Sequence, residues 1–266
     1  MAELHVGDLP PDLHAVLGEG ELVPVTVGRS GSVVARVVRD GAADLFVKLV
    51  ERGGSSPSIR HEIERLEWLA GSIAVPELVA HGADDHVEWM VITALDGSDL
   101  TSRELGGDPE RVVRLFAEAL RTFHDSLDVE SCPFDGRTDA LVAIAADRVE
   151  AGLVAAGDFE PIHRGVTAEE LLGHVRSRQP DDPPDLVVAH GDYCIPNVFA
   201  AEGAVSGYVD LGLVGVGDRY RDLGIGARSI AHNLGGEAVG LFFDAYGIEW
   251  PDLARVDFFV MLDELF

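Results

Sequence analysis

Lysine is nearly absent from this sequence of 266 residues: Lys48 is the only one, and the remaining strongly basic side chains are all arginine. Lysine and arginine together number 20 against 47 acidic residues, a formal net charge of −27 at pH 7. That balance argues against a nucleic-acid partner, because phosphate contacts need a basic face. It suits a cationic ligand or a well-solvated surface. Cysteine is scarce too. Cys132 and Cys194 lie far apart, form no metal-ligand pattern and read as reduced thiols. No apolar run reaches the roughly 18 residues of a membrane helix. Met1 to Pro10 lacks the basic stretch followed by an apolar one that marks a secretory signal. The expectation is a cytoplasmic monomer with no membrane partner. Repeats, heptads and low-complexity tails are also missing. Yet 47% of the residues are apolar, enough for a sizeable core in one large domain or two small lobes.

The lone lysine stands in Leu45-Phe46-Val47-Lys48-Leu49-Val50, an apolar run that reads as a buried strand. A solvating lysine belongs least in such a place. The plain alternative is a strand-edge side chain snorkelling to water. Around it, residues 1–95 read as strand-rich with one helix. Leu22 to Val27 and Val33 to Val38 are β-branched runs on either side of Gly28-Arg29-Ser30-Gly31-Ser32, and Asp40-Gly41 marks a hairpin turn. The helix follows a glycine- and serine-rich loop, with Ser58 as its expected cap. Ile59, Ile63, Leu66 and Leu69 recur at helical spacing, and Glu62 falls on that same face. Trp89 to Thr93 reads as a strand ending at a hinge, Ala94-Leu95-Asp96-Gly97. Residues 96–266 read as mainly helical. Asp108-Pro109 opens a helix with an apolar stripe at Leu115, Ala119, Phe123 and Leu127, and Thr167 to Glu170 is a capping box. Leu186 to Ala189 reads as a short buried strand, and a hairpin is expected from Val198 to Val209 through Glu202-Gly203.

That short strand delivers His190-Gly191-Asp192-Tyr193-Cys194-Ile195-Pro196-Asn197, and Asp210 follows thirteen residues after Asn197. Two oxygen-bearing side chains, Asn197 and Asp210, suit magnesium, which takes few protein ligands plus water and phosphate oxygens. Asp192 then remains to orient a hydroxyl and accept its proton. This is the order of parts in the protein-kinase template, with His-Gly-Asp for His-Arg-Asp and Asp210-Leu211-Gly212 for Asp-Phe-Gly. Lys48 and Glu62 precede it in the proper order, and the turn at Gly28 to Ser32 can offer backbone N–H groups to phosphate.

From about Gly28 onward the chain resembles the aminoglycoside 3'-phosphotransferases. The resemblance runs through Leu66-Glu67-Trp68-Leu69-Ala70, Cys132-Pro133-Phe134-Asp135 and Glu150-Ala151-Gly152-Leu153-Val154. It continues in Asp185-Leu186-Val187-Val188, Gly217-Asp218-Arg219-Tyr220-Arg221-Asp222-Leu223 and Leu262-Asp263-Glu264-Leu265-Phe266. The Cys-Pro-Phe-Asp element and the terminal Asp-Glu-x-Phe set this family apart from choline and homoserine kinases. The resemblance implies a two-lobed α+β, protein-kinase-like fold: a strand-rich nucleotide-binding lobe at 1–95 and a mainly helical catalytic lobe at 96–266. It implies ATP and Mg2+, with Asp192 as base, Asn197 and Asp210 on the metal, and Lys48 and Glu62 positioning phosphates. Ser30 falls in the phosphate loop, Phe46 on adenine, and Ala94 and Leu95 at the adenine edge. Glu160, Arg228, Asp263, Glu264 and Phe266 then face a cationic aminoglycoside. Asp218 and Asp222 read as structural, with Asp218 bracing the catalytic loop. Leu213 replaces an arginine common in the family, and Pro161 and His232 stand where several members have acids, so the expected pocket is less acidic. A kinase for another hydroxylated metabolite and a nucleotide-binding pseudokinase are the competing readings. The intact set of catalytic residues weighs against the second.

Overall fold

A computed structural model describes residues 9–25, 32–53, 58–102 and 108–266. The chain divides into two compact units. Met1–Asp96 with Gly207–Gly212 forms the first, and Gly97–Ser206 with Leu213–Phe266 forms the second.

The first unit is a five-stranded antiparallel sheet with two helices. Helix α1 (Pro11–Leu17) precedes strands β1 (Glu21–Val25), β2 (Val33–Val38) and β3 (Leu45–Glu51). Helix α2 (Arg60–Leu69) follows, then β4 (Leu78–Ala83) and β5 (Val87–Thr93), in the sheet order β1-β2-β3-β5-β4. Successive strand residues point to opposite faces. In β3, Leu45, Val47 and Leu49 therefore bury with Val37, Trp89 and Val91 and with Leu13 and Leu17 of α1. Phe46 and Lys48 fall on the other face, half-buried. The register sets Lys48 between Val34 and Met90, so a one-residue slip would exchange the two faces. Helix α2 buries Glu62, Leu66 and Leu69, the face its spacing predicts. The expected Ser58 cap is displaced by one residue. Ile59 occupies the cap position, while the Ser58 hydroxyl accepts from the Arg60 N–H at 3.2 Å and donates to Glu88 at 2.6 Å.

The second unit begins with a two-residue strand, β6 (Ser98–Asp99), and helices α3 (Pro109–Ser126), α4 (Thr138–Glu150) and α5 (Ala168–Arg178). Strands β7 (Val187–Ala189), β8 (Val198–Ala201), β9 (Ala204–Tyr208) and β10 (Gly215–Gly217) come next. Helices α6 (Tyr220–Leu234), α7 (Val239–Tyr246) and α8 (Leu253–Asp263) close the chain. Asp108 caps α3 by accepting from the Arg111 N–H at 3.1 Å, and the Thr167 capping box of α5 is complete. The apolar face of α3 is broader than the predicted stripe. Val112, Val113, Phe116, Ala117, Leu120 and Phe123 are all buried, because α3 packs against α6, α7 and β7 at once. Helices α4, α5 and α8 enclose a second cluster around Leu141, Leu171, Phe258 and Phe259. The β8–β9 hairpin turns at Glu202 (φ 52°) and Gly203 (φ 84°), the left-handed pair that a tight hairpin needs. Among the described residues, no helix is long and apolar enough to cross a membrane.

Gly97 opens this unit at φ 82°, and a β-carbon there would lie 2.0 Å from the Ala200 carbonyl oxygen. Both the backbone conformation and the contact require glycine. Gly97→Ala should lower unfolding free energy by more than about 2 kcal/mol in urea titration; an unchanged midpoint would contradict the close approach.

Candidate active site

Three charged side chains of the first unit converge. The ammonium nitrogen of Lys48 lies 2.7 Å from Glu62 Oε2 and 3.4 Å from Asp210 Oδ1. The strand presents the lysine, the helix presents the glutamate, and the Gly207–Gly212 segment carries the aspartate. Glu62 is buried, whereas the Asp210 side chain is 54% exposed, so the two carboxylates are not equivalent. Burial alone would push the Lys48 ammonium towards its neutral form. The charges of Glu62 and Asp210 outweigh that and raise its pKa above the ordinary lysine value. Burial pushes the Glu62 carboxyl up, opposed by Lys48 and reinforced by Asp210. Asp210 adopts φ 56°, a left-handed conformation uncommon outside glycine. Phe46 shares the Lys48 face of β3. The Ala94 N–H donates to the Asp44 carbonyl at 3.2 Å, which commits one polar group of the predicted hinge. Ser30 lies outside the described residues.

In the second unit β7 leads directly into His190-Gly191-Asp192. Gly191 has φ 88°, and a β-carbon would lie 2.3 Å from the Leu213 carbonyl oxygen, so the loop passes where only glycine fits. The Asn197 side-chain nitrogen donates to the Asp192 carbonyl at 2.9 Å and to its carboxylate at 3.1 Å. The predicted base and one predicted metal ligand are thus in direct contact. The Ile195 N–H donates to Ser229 Oγ at 2.9 Å, and Tyr193 donates its hydroxyl to the Phe116 carbonyl at 2.7 Å.

The main brace is Asp222, not Asp218 as the sequence suggested. The fully buried Asp222 carboxylate accepts from the N–H groups of His190 at 2.7 Å and Gly191 at 2.8 Å. It also meets His124 Nε2 at 2.9 Å, and His124 Nδ1 meets the Tyr246 hydroxyl at 2.8 Å. Burial disfavours the Asp222 charge. The hydrogen bond and charge of His124, with the Gly191 amide, overcome burial and hold its pKa below the ordinary aspartate value. Asp218 is structural in another way, accepting from the Tyr220 N–H at 2.9 Å and pairing with Arg255. Sequence reading missed His124 and Tyr246; nothing local marks them, since His124 lies 98 residues from Asp222.

A third group gathers Glu160, Arg228, Asp263 and Glu264. Arg228 pairs with Asp263 and lies 4.0 Å from Glu160. Glu264 accepts from the Glu160 N–H at 2.8 Å and meets His163 Nδ1 at 2.5 Å. Arg148 donates to the carbonyl oxygens of Leu265 at 2.9 Å and Phe266 at 2.8 Å. Arg148 and His163 were not anticipated.

The sequence pattern of the phosphotransferase enzyme family matches residues 21–259, which takes in all three groups apart from the last residues of the chain. The protein belongs to that family. Among similar proteins, an aminoglycoside 3'-phosphotransferase from Niallia circulans is 33% identical over 263 residues, covering 97% of each chain. The crystal structure of a type VIII aminoglycoside-3'-phosphotransferase superposes with a TM-score of 0.84 at 34% identity, over 96% of this chain and 97% of that one. An aminoglycoside phosphotransferase from Streptomyces rimosus, solved with ADP and streptomycin, gives 0.77 at 25% identity, over 95% of both. The chain therefore has the kinase-like α+β fold of these phosphotransferases, and it is an enzyme of that kind.

For this phosphotransferase the Asp222 brace makes a definite demand. Asp222→Asn removes the buried charge and one acceptor facing two backbone donors. It should destabilise by about 3–5 kcal/mol in urea unfolding. Because the folded-state pKa of Asp222 is depressed, its contribution is complete above the ordinary aspartate range and lost as pH falls through that range and below. The wild-type acid transition should therefore be steeper than that of the variant; equal slopes would remove Asp222 from this role.

Proposed function

We propose that this enzyme transfers the γ-phosphate of ATP to the 3'-hydroxyl of aminoglycoside antibiotics and so confers resistance to them. One observation carries the reading: a braced Asp192–Asn197 loop occurs in a chain that matches aminoglycoside 3'-phosphotransferases over nearly its whole length. In this reading residues 1–95 serve as the nucleotide-binding lobe and 96–266 as the catalytic and substrate-binding lobe. The enzyme works as a cytoplasmic monomer on a cationic small molecule, with neither nucleic acid nor membrane as partner.

Lys48, kept protonated by two carboxylates, neutralises charge on the α- and β-phosphates, and Glu62 holds it in place. Phe46, on the same strand face, stacks on adenine. The Ala94 N–H already serves Asp44, so the adenine edge meets the Ala94 carbonyl and the Leu95 amide. Ser30 belongs to the phosphate loop. Asn197 and Asp210 are the magnesium ligands of this reading, and their chemistry fits that ion. One offers an amide oxygen while its nitrogen serves Asp192; the other offers a largely exposed carboxylate. Hard oxygen donors, few in number, suit an ion that keeps water and phosphate oxygens. When bound, magnesium offsets the charge that develops on the transferred phosphoryl group.

Asp192 aligns the acceptor hydroxyl and takes its proton, its carboxylate steadied by Asn197. Transfer is in line, with little covalent work for the protein. Glu160, Arg228, Asp263, Glu264 and Phe266 make up the substrate side. The acids among them attract ammonium groups, and Arg228 sets their spacing.

The test is coupled ADP release with magnesium-ATP. Kanamycin and neomycin should turn over while a 3'-deoxy aminoglycoside, choline and homoserine do not. Silence with every aminoglycoside would overturn the acceptor assignment. Asp192→Ala should lower kcat by about 100- to 10,000-fold with ATP affinity little changed, checked by single-turnover kinetics and nucleotide titration. Retained turnover would remove Asp192 from the role of base.

A further inference from the structure

We infer that Arg221 is a positioning residue for the transfer reaction, tying the floor of the catalytic loop to the substrate-facing end of the chain through one buried guanidinium. Its consequence for turnover rests on the aminoglycoside reading, whereas the tie itself rests on contacts within the second unit.

Arg221 lies in the first turn of α6 and is 5% exposed. A guanidinium removed from water needs compensation from its surroundings. Burial lowers its pKa from the ordinary arginine value, and the charges of Asp222, Asp263 and Asp192 oppose that fall. These three are the loop brace, a substrate-side acid and the base of the proposed reaction, so Arg221 sits where their fields overlap. Its direct contacts run in the same two directions. Nη1 donates to the Leu213 carbonyl at 3.2 Å. Gly191 passes against that very oxygen, which lies 2.3 Å from where a Gly191 β-carbon would be, and Asp192 is the next residue. A hydrogen bond that fixes the Leu213 carbonyl therefore fixes the surface on which the catalytic loop rests. The guanidinium carbon also lies 6.0 Å from the centre of the Phe266 ring, the outer reach of a cation–π contact. Arg148 approaches the same ring at 5.9 Å and holds the main-chain oxygens of Leu265 and Phe266. Two arginines thus share the ring, and of the two it is Arg221 that also reaches the loop.

The join is close-packed. Arg221, Asp263 and Phe266, with Leu141, Phe259 and Leu262, line a cavity of about 10 Å³, at the lower limit for a single water. The loop floor and the chain end therefore move together instead of around trapped solvent. Arginine suits the position because its planar group donates from an edge while its face lies near a ring. Lysine would keep the charge and a donor but lose the face. Methionine would keep much of the length and neither property.

Three variants test this: Arg221→Met, Arg221→Lys and Arg148→Met. The first measurement needs no substrate. The Cys194 N–H donates to the Asp192 carbonyl at 3.0 Å and the Phe266 N–H to the Asp263 carbonyl at 3.1 Å, one amide at each end of the tie. Hydrogen exchange should accelerate about tenfold at both amides in Arg221→Met and at Phe266 alone in Arg148→Met. In Arg221→Lys, Cys194 should stay near wild type, because a donor for the Leu213 carbonyl remains. Wild-type exchange at Cys194 in Arg221→Met overturns the tie whatever the enzyme acts on. So does equal acceleration at Cys194 in Arg148→Met, which does not touch the loop floor.

The second measurement is kinetic. Arg221→Met should lower kcat and raise KM for kanamycin by about tenfold each, with the KM for ATP unchanged. Arg148→Met should raise the kanamycin KM and leave kcat alone, and Arg221→Lys should recover kcat but not KM. A wild-type kcat in Arg221→Met sinks the proposal, as does an equal loss of kcat in Arg221→Lys, which would mark general destabilisation. If the wild-type enzyme turns over no aminoglycoside, the functional reading falls with the kinetic consequence. The exchange experiment still decides whether the tie exists.

Discussion

A carboxylate removed from water is tolerated only where donors replace the water, and Asp222 is the place where this fold accepts that constraint. Its partners come from three parts of the second unit: the backbone after β7, His124 on α3, and through His124 the Tyr246 hydroxyl at the end of α7. Removing one partner would leave the others facing an unsatisfied buried group, so the set stands or falls together. The position of Asp192 follows from it. Two consecutive amides are fixed, Gly191 passes under the Leu213 carbonyl, and the side chain two residues beyond His190 has little freedom left. Ser229 and Phe116 then hold the rest of the loop.

The two ionic groups share one composition, a single cation between two carboxylates, and differ in which contacts can open. Lys48 is gripped by buried Glu62 and touched by exposed Asp210 at the longer distance. An anionic ligand approaching Lys48 competes with the weaker, solvent-screened contact, while the buried one persists. Arg228 stands between Asp263 and Glu160, both partly exposed. Lys48 with its two carboxylates, and Arg228 with Asp263 and Glu160, each sum to one net negative charge. The first therefore favours the arrival of a phosphate together with a metal cation, and the second favours a cation alone.

The sequence made the chemistry legible wherever a residue was anomalous for its surroundings. Lys48 is a charge in an apolar strand, Glu62 is an acid on the apolar face of α2, and Gly191 breaks the chain between a buried strand and an aspartate. Local capping signals at Asp108 and Thr167 were equally plain, because a helix terminus is decided by adjacent residues. Partnerships between distant residues were not. Asp218 and Asp222 look alike in sequence; only packing assigns one to Arg255 and the other to the catalytic loop. The stripe on α3 was read too narrow because periodicity reports one buried face, and this helix has several neighbours. Strand β4 carries His81 and Gly82 and little β-branched character, so its pairing with β5, rather than its own propensity, makes it a strand. His163 illustrates the same limit: its contact with Glu264 spans 101 residues and has no local signal.

The lone lysine has a consequence for chemical handling of the protein. Amine-directed acylation ordinarily spreads over a surface, and here it would meet a single side-chain amine, 17% exposed and held between carboxylates. Because its pKa is raised, Lys48 reacts sluggishly so long as Glu62 and Asp210 remain in contact with it. The extent of acylation at this one side chain is thus a reporter of whether that ionic group is intact, read as a mass increment on the peptide that carries Lys48.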